Sequence, residues 1–266
     1  YHPRSSRSYG FVYCLRVAMK LIEVFNQLTY GELSQMSIGG IENGEINDKN
    51  YYAILSHINL GLTALYKRFP LKEGRLTLAL KQGRFTYPVT STYAVNNTKS
   101  AELVRYIEDT STEKFVDDIH KIESVFTDTG FELALNNEAD MYSVRTPSAT
   151  VLSVPPVIVA NGADLPDEYK TSKLTVVYRA NHPIIDQDAG SFDPSTYEVQ
   201  LPYSHLEALL YFVASRINNP IGMVNEFHAG SSYAAKYEQA CQQLEVSNMR
   251  VDQFSQPDRI SRNGWV

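Results

Sequence analysis

The stretch that most constrains the fold runs from Leu201 to Met249, because it holds two amphipathic helical patterns separated by a break. Pro202 and Ser204 open the first helix. Its apolar residues recur at steps of three and four, which gives the helix one apolar face: Leu206, Leu209, Leu210, Val213 and Ile217. Asn218-Asn219-Pro220 ends this helix, since proline lacks the amide hydrogen that continues it. The apolar face therefore requires a packing partner.

A second helix is predicted to begin at Ser231 or Ser232, with a serine hydroxyl as the N-cap. Its apolar stripe comprises Tyr233, Tyr237, Ala240, Cys241 and Leu244. We interpret the connection, Ile221 to Gly230, as a loop that packs against another protein surface, because it is too apolar to be freely solvated. The two helices are expected to form an antiparallel pair. Its alanines let neighbouring helices approach closely, whether in copies of the chain or inside one domain: Ala208, Ala214, Ala234, Ala235 and Ala240.

This stretch resembles the C-terminal helices of phage head-to-tail connector proteins, the adaptor or tail tubular proteins beneath the portal ring of short-tailed phages. The resemblance is carried by a Leu-Pro pair before the first helix, a Tyr-Phe-Val-Ala-Ser-Arg run within it, an Asn-Pro break, and Ser-Tyr-x-x-Lys-Tyr-Glu-x-Ala-Cys in the second helix. The order of elements after Met19 also fits that family. The resemblance covers mainly the last third of the chain.

The resemblance implies a structural virion protein and not an enzyme. Family members are expected to form a homo-oligomeric ring, a dodecamer, that joins the portal to the tail and lines the DNA exit channel. The implied partners are the portal protein, a tail nozzle or tail tube protein, and other copies of the chain. Double-stranded DNA would pass through the lumen without sequence-specific binding. The implied location is the neck and tail of a bacteriophage virion assembled in the host cytoplasm, where the protein serves DNA ejection.

The resemblance also implies two groups of functional residues. A portal-docking tail is assigned to Arg250, Phe254, Arg259, Ile260 and Trp265. Packing within or between subunits is assigned to Tyr211, Arg216, Tyr233 and Tyr237. Packing inside the helix pair explains each residue of the second group equally well, and simple disorder explains the tail.

The rest of the sequence predicts an α+β fold, with a helical bundle built from N- and C-terminal helices and an inserted antiparallel β-domain. Thr29 and Glu32 form a capping box that predicts a short helix, and a longer helix is predicted from Asn47 or Asp48 to Phe69. After Gly74 the apolar period changes to two, which predicts a strand. The apolar residues of that strand are Leu76, Leu78 and Leu80.

Further along the chain, a helical segment is predicted from Ser100 to Ile107, and Thr127–Gly130 predicts a hairpin turn. Four more short strands are predicted at Tyr142–Thr146, Val151–Val154, Leu174–Tyr178 and Tyr197–Leu201. The predicted domains are an N-terminal extension (1–18), a helical bundle (19–71 with 202–249), an inserted β-rich domain (72–201) and an extended C-terminal tail (250–266).

Charge and cysteine content exclude several classes of protein. The formal net charge is −6, so the chain lacks the basic footprint of a protein that wraps duplex DNA, although this balance suits a channel through which DNA slides. Cys14 and Cys241 stand far apart, which indicates neither a metal site nor a disulfide framework. No apolar run approaches the roughly 20 residues of a membrane-spanning helix.

The sequence predicts no catalytic, cofactor-binding or metal-binding residues. The histidines lack zinc-binding spacing, and no Gly-x-Ser-x-Gly motif or phosphate-binding loop is present. The segment Asp186 to Asp193 is rich in carboxylates but fails the EF-hand pattern, with Ser191 where that loop needs glycine. The alternative function is a virion-associated or secreted carbohydrate-binding module or hydrolase that uses the β-domain and this loop.

Overall fold

The structure, a computed structural model, describes residues 19–34, 46, 50–186, 192–217 and 224–247, with side chains described from residue 230 onward in the last range. It has an α+β fold, as predicted, with helices and antiparallel sheets. The predicted N-terminal extension and C-terminal tail lie outside the described residues.

The chain divides into two compact units. Among the described residues, the first unit contains the chain up to Gly61 together with Ile185–Ser247, and the second contains Leu62–Ile184. The first border lies inside a helix, whereas the sequence placed it between residues 71 and 72. The second border lies between Ile184 and Ile185, whereas the sequence placed it between residues 201 and 202. The borders follow from the contacts between residues in the folded chain, whereas the sequence prediction relied on local composition.

The first unit joins segments from distant parts of the chain. Strand β1 (Met19–Lys20) pairs antiparallel with β10 (Glu198–Val199), and helix α1 (Leu21–Gln27) continues into a π-helical turn (Leu28–Glu32). Helix α2 (Tyr51–Arg68) begins in this unit. Helices α4 (Leu206–Ile217) and α5 (Val224–Val246) complete it. Both α1 and the π-helical turn contact α4.

Helix α2 approaches α4 closely because Gly61 has no side chain. A Cβ atom at Gly61 would lie 2.7 Å from Cδ1 of Leu209 and 2.9 Å from Cδ1 of Phe212. Such distances are below ordinary van der Waals contact, so a larger residue would force the two helices apart. The apolar period of α2 predicted the helix, and Gly61 determines how near it lies to its neighbour.

The second unit is built on a five-stranded antiparallel sheet of order β4-β2-β9-β5-β6. Its strands are β2 (Glu73–Ala79), β4 (Ile107–Glu108), β5 (Ile119–Thr127), β6 (Glu132–Leu133) and β9 (Lys173–Ala180). The predicted hairpin turn is confirmed between β5 and β6, where Gly130 adopts a φ of +85° that favours glycine. The central strand β9 is buried along most of its length.

A second, three-stranded sheet has the order β3-β8-β7. Its strands are β3 (Thr86–Pro88), β7 (Arg145–Ser148) and β8 (Val151–Ser153). Helix α3 (Pro156–Ala160) follows β8 directly. Residues of both sheets share one apolar core, including Tyr87 and Leu152 from the small sheet and Val176 from the large sheet.

Three local predictions were wrong. Thr29 does not cap a helix, because it lies inside the π-helical turn that continues α1. The segment 100–107 is not helical: Arg105 donates to the carbonyls of Val95 and Ser100, and these contacts replace a helical ladder. Helix α5 begins at Val224 and not at Ser231 or Ser232, so most of the predicted connection is helical.

A candidate interaction surface on the helix pair

The helix pair α4–α5 forms because each helix carries one apolar stripe. On α4 the buried residues are Ala208, Leu209, Val213 and Ala214. On α5, among residues 230–247, Ala240, Cys241 and Leu244 are buried together with Gly230. Full burial of a leucine or valine side chain contributes roughly 1.5–3 kcal/mol relative to exposure, so Leu209, Val213 and Leu244 make the largest contributions to this seam.

Contacts between side chains of α4 and α5 show in which direction the two helices run relative to each other. The rings of Phe212 and Tyr237 meet edge to face, with centroids 5.3 Å apart and planes at 71°. Further along α4, Arg216 lines the same groove as Ser231 of α5. Later residues of α4 thus face earlier residues of α5, which makes the pair antiparallel, as the sequence predicted.

Tyr211 and Tyr233 lie side by side at the surface of the pair. Their ring centroids are 6.2 Å apart with planes at 37°. The Tyr211 hydroxyl donates a 2.8 Å hydrogen bond to Oε1 of Glu207, four residues earlier on α4. This hydrogen bond, with burial and the Glu207 charge, raises the pKa of Tyr211 to about 12. The Tyr233 hydroxyl donates to the backbone carbonyl of Glu32 at 3.3 Å, which attaches α5 to the π-helical turn.

Lys236 lies over both tyrosine rings. Its Nζ atom is 4.7 Å from the Tyr233 ring centroid and 5.5 Å from the Tyr211 ring centroid. At an exposed site a cation over an aromatic face contributes about 0.5–1 kcal/mol. Lys236 is the lysine of the Ser-Tyr-x-x-Lys-Tyr motif, but neither it nor Glu207 was assigned a role from the sequence, although spacings of three from Tyr233 and four from Tyr211 place them on the same helix faces.

An open groove of about 320 Å³ lies between the two helices. Its lining combines aromatic rings with small residues: Phe212, Ser215, Arg216, Gly230, Ser231, Ala234 and Tyr237. The Arg216 guanidinium lies 5.4 Å from the centroid of the Phe212 ring, at the exposed rim. A surface with small residues, rings and one cation can receive a side chain or a helix from another protein.

His57 of α2 lies near this rim. Burial lowers the pKa of His57, and the positive charge of Arg216 lowers it further. Within the described residues, its buried Nδ1 atom has no hydrogen-bond partner. The lowered pKa keeps the His57 imidazole neutral at neutral pH, within the electrostatic reach of Arg216.

The structure thus places all four residues assigned to subunit packing on the helix pair. Tyr211 faces Tyr233, and Tyr237 faces Phe212, which belongs to the Tyr-Phe-Val-Ala-Ser-Arg run but was not assigned to subunit packing. Arg216 lies at the groove rim beside Phe212. The proposed portal-docking residues all lie outside the described residues: Arg250, Phe254, Arg259, Ile260 and Trp265.

The carboxylate-rich segment Asp186 to Asp193 is only partly described, since residues 187–191 lie outside the description. The Asp193 carboxylate accepts a 2.9 Å hydrogen bond from the amide of Ser195, and hydrogen bonds from the side chain and then the backbone of Ser195 lower the pKa of Asp193. Asp193 therefore stabilises a local turn. In the part of the chain that is described, no group of three or more histidines, cysteines, aspartates or glutamates is arranged to hold a metal ion.

None of the described helices is long and apolar enough to cross a membrane.

No protein-family profile matches the chain, and no curated protein matches its sequence.

Proposed function

We propose that the protein is a structural virion protein, a head-to-tail adaptor that forms a ring, joins the portal to the tail and lines the DNA exit channel. One observation carries the proposal. The stretch that resembles the connector family, Leu201 to Met249, contains an antiparallel helix pair whose second helix is largely exposed between residues 230 and 246.

The exposure of α5 supports the proposal because a helix of 23 residues buries only one narrow stripe between residues 230 and 247. Ala234, Ala235 and Val246 are exposed on this helix, and Val246 is 86% exposed. Small exposed residues allow another helix to approach closely, and an exposed valine lowers its free energy when a partner covers it. A ring subunit needs such a surface to contact its neighbour.

The groove between α4 and α5, which Arg216 lines, adds polar groups to the exposed surface of α5. In an interface, arginine and tyrosine contribute more binding energy than most residues, since each combines apolar area with directional polar contacts. Arg216, Tyr211 and Tyr233 lie at the groove or beside it on the pair. We infer that a neighbouring subunit packs on this region, while the tail from residue 250 docks on the portal.

The net charge of −6 agrees with a channel for DNA. A lumen that attracted phosphates strongly would retain the duplex, because every neutralised phosphate adds to the affinity through counterion release. An acidic protein avoids this retention and lets DNA slide.

The test is the mass of the purified chain, alone and mixed with the portal protein of the same virion, measured by light scattering with negative-stain images of the mixture. The proposal predicts a monomer alone and a closed ring on the portal. A chain that stays monomeric in the presence of assembled portal would overturn it.

A chain that lacks residues 250–266 separates docking from folding. It is expected to keep the melting temperature of the full chain and to lose association with the portal. Trp265→Ala in the full chain is expected to weaken the association in the same direction. If the truncated chain associates fully with the portal, residues 250–266 are not the docking segment.

A further inference from the structure

A separate cleft in the second unit has the features of a binding site for a cationic side chain. The cleft has a volume of about 320 Å³ and is lined by Tyr142, Val157, Ala160, Gly162, Asp164 and Leu165. Helix α3 forms one wall, because Pro156 starts it and Asn161 ends it in the left-handed conformation. The chain then turns back, so that Gly162 and Asp164 line the same cleft.

The aromatic wall of the cleft is held in place by neighbouring rings. Tyr142 stacks on Tyr169 with ring centroids 4.3 Å apart and planes at 26°. Phe131 meets Tyr169 edge to face, with centroids 5.2 Å apart. Both tyrosines also pack against the core of the unit. The face of Tyr142 is therefore fixed before any ligand arrives, which reduces the entropy lost on binding.

The charges around the cleft are negative. Asp164 lines it directly, and none of the lining residues is a lysine or arginine. Burial raises the pKa of Tyr169, and the nearby carboxylates of Asp140 and Glu168 raise it further. The nearest basic residue along this loop, Lys170, is already bound to Asp167 at 2.7 Å. An apolar cleft with acids at its rim complements a ligand that has an apolar stem and a positive end.

We propose that this cleft receives an arginine side chain from a segment of another protein, with the aliphatic stem against Val157 and Leu165 and the guanidinium between the Tyr142 ring and Asp164. Guanidinium groups stack on aromatic rings and pair with carboxylates through a planar set of donors. The inference does not depend on the proposed ring assembly.

The size and chemistry of the cleft argue against other ligands. Ligand pockets span roughly 300–1,000 Å³, and about 320 Å³ at the lower end suits one side chain and excludes a large cofactor. Sugars also stack on tyrosine, but their recognition requires donors as well as acceptors. Among the lining side chains, only the Tyr142 hydroxyl can donate, since Asp164 is an acceptor.

The test uses the full chain with methyl groups labelled for nuclear magnetic resonance. It is titrated with the blocked tripeptide acetyl-Gly-Arg-Gly-amide, with the citrulline peptide of the same shape but no charge, and with methyl glucoside. The arginine peptide is expected to shift the methyl signals of Val157, Ala160 and Leu165 in a saturable way, and the citrulline peptide is not. Equal shifts with both peptides, no shift with arginine, or a response to the sugar alone would overturn the proposal.

Matched variants identify the contacts. Asp164→Asn is expected to weaken arginine binding about fivefold, as expected for loss of one exposed ion pair, while Glu138→Gln leaves it within about twofold. Both positions are exposed, but only Asp164 lines the cleft. Tyr142→Phe is expected to retain binding and Tyr142→Leu to lose it, with melting curves as the folding control. Equal affinity of the Asp164 and Glu138 variants would exclude Asp164 as the partner of the guanidinium.

Discussion

The ammonium nitrogen of Lys72 lies 2.9 Å from Oδ2 of Asp118 in the second unit. The two side chains are only 19% and 11% exposed. The Tyr178 hydroxyl donates a 3.0 Å hydrogen bond to Oδ1 of the same carboxylate. Burial first, and then Asp118, raises the pKa of Tyr178, so the hydroxyl stays protonated and remains a donor. Asp118 thus satisfies two partners in a mostly dry environment.

Asp118→Asn is expected to lower the free energy of unfolding by about 3 kcal/mol, because Lys72 would keep a largely buried charge without a counterion. Urea denaturation measures the change. Glu73→Gln is the control, since Glu73 pairs with Arg75 through side chains that are 54% and 65% exposed. The control is expected to change stability by less than about 1 kcal/mol. Equal losses in the two variants would contradict this account of the buried pair.

Gly74→Ala is expected to destabilise the protein by about 1–3 kcal/mol. A Cβ atom at residue 74 would overlap the ring and hydroxyl of Tyr178, whose side chain is buried and bound to Asp118. Gly31→Ala is the matched control, because a Cβ atom there meets nothing within 4 Å. Thermal denaturation compares the two. A similar melting temperature for both would show that Tyr178 moves without cost.

Acidic pH is expected to reduce stability through the buried histidines. Burial lowers the pKa of His182 from its ordinary value of 6.5. The unfolded chain therefore takes up a proton on this residue at a higher pH than the folded chain does. The associated stability is present above pH 6.5 and is lost as the pH falls below it.

The urea midpoint of the wild type is accordingly expected to be lower at pH 5 than at pH 7. In His182→Gln the difference between the two pH values is expected to be smaller, because one of the groups that take up protons is removed. An unchanged difference would mean that His182 does not contribute to the pH dependence.

Asp117 is expected to tolerate asparagine better than valine. Its backbone has a φ of +58°, and its carboxylate accepts hydrogen bonds from the amide and the hydroxyl of Ser91. Asparagine adopts positive φ readily and keeps one acceptor oxygen, whereas valine does neither. Asp117→Val is expected to cost about 2 kcal/mol or more. Thermal denaturation and hydrogen exchange at Ser91 measure it, and equal melting temperatures for the two variants would contradict the prediction.

Two arginine substitutions on α5 test the proposed ring surface. Ala234 lines the groove between the helices, and Gln243, which is also exposed, lies nine residues later on the opposite side of α5. Ala234→Arg is expected to abolish ring formation on the portal through a steric and charge conflict, while Gln243→Arg leaves it intact. Both variants are expected to remain folded, as checked by circular dichroism. Normal rings from Ala234→Arg would place the subunit contact elsewhere.

The sequence predicted those elements whose pattern is complete within a short window. Helix α4 was predicted up to Ile217 and is helical throughout Leu206–Ile217, and the hairpin between β5 and β6 follows from Thr127–Gly130. In these places the local apolar period and the turn residues agree with the final packing. Helix α3 was missed although Pro156 at its start and Asn161 at its end supplied the signal.

The failures occur where distant contacts compete with local pattern. The segment 100–107 has helical spacing, but Leu103 is 98% exposed and Tyr106 donates its amide hydrogen to the carbonyl of Tyr93. The start of α5 was predicted at the serines after Gly230, because serine favours N-caps and glycine interrupts helices. In the structure Gly230 lies inside α5, is buried, and lines the groove beside α4, so the glycine does not interrupt the helix.

The sequence by itself determined the α+β class, the long helices, the main strands and the seam of the helix pair, because apolar period and turn chemistry act between near neighbours. The tertiary structure alone decided that β1 pairs with β10, that Lys72 meets Asp118, and that Tyr142 joins Tyr169 beside Asp164. These groups are far apart in sequence or leave no periodic signal. Such groups come together only when the chain folds into packed units. The free energy of folding is a property of the whole unit and cannot be read from any short segment.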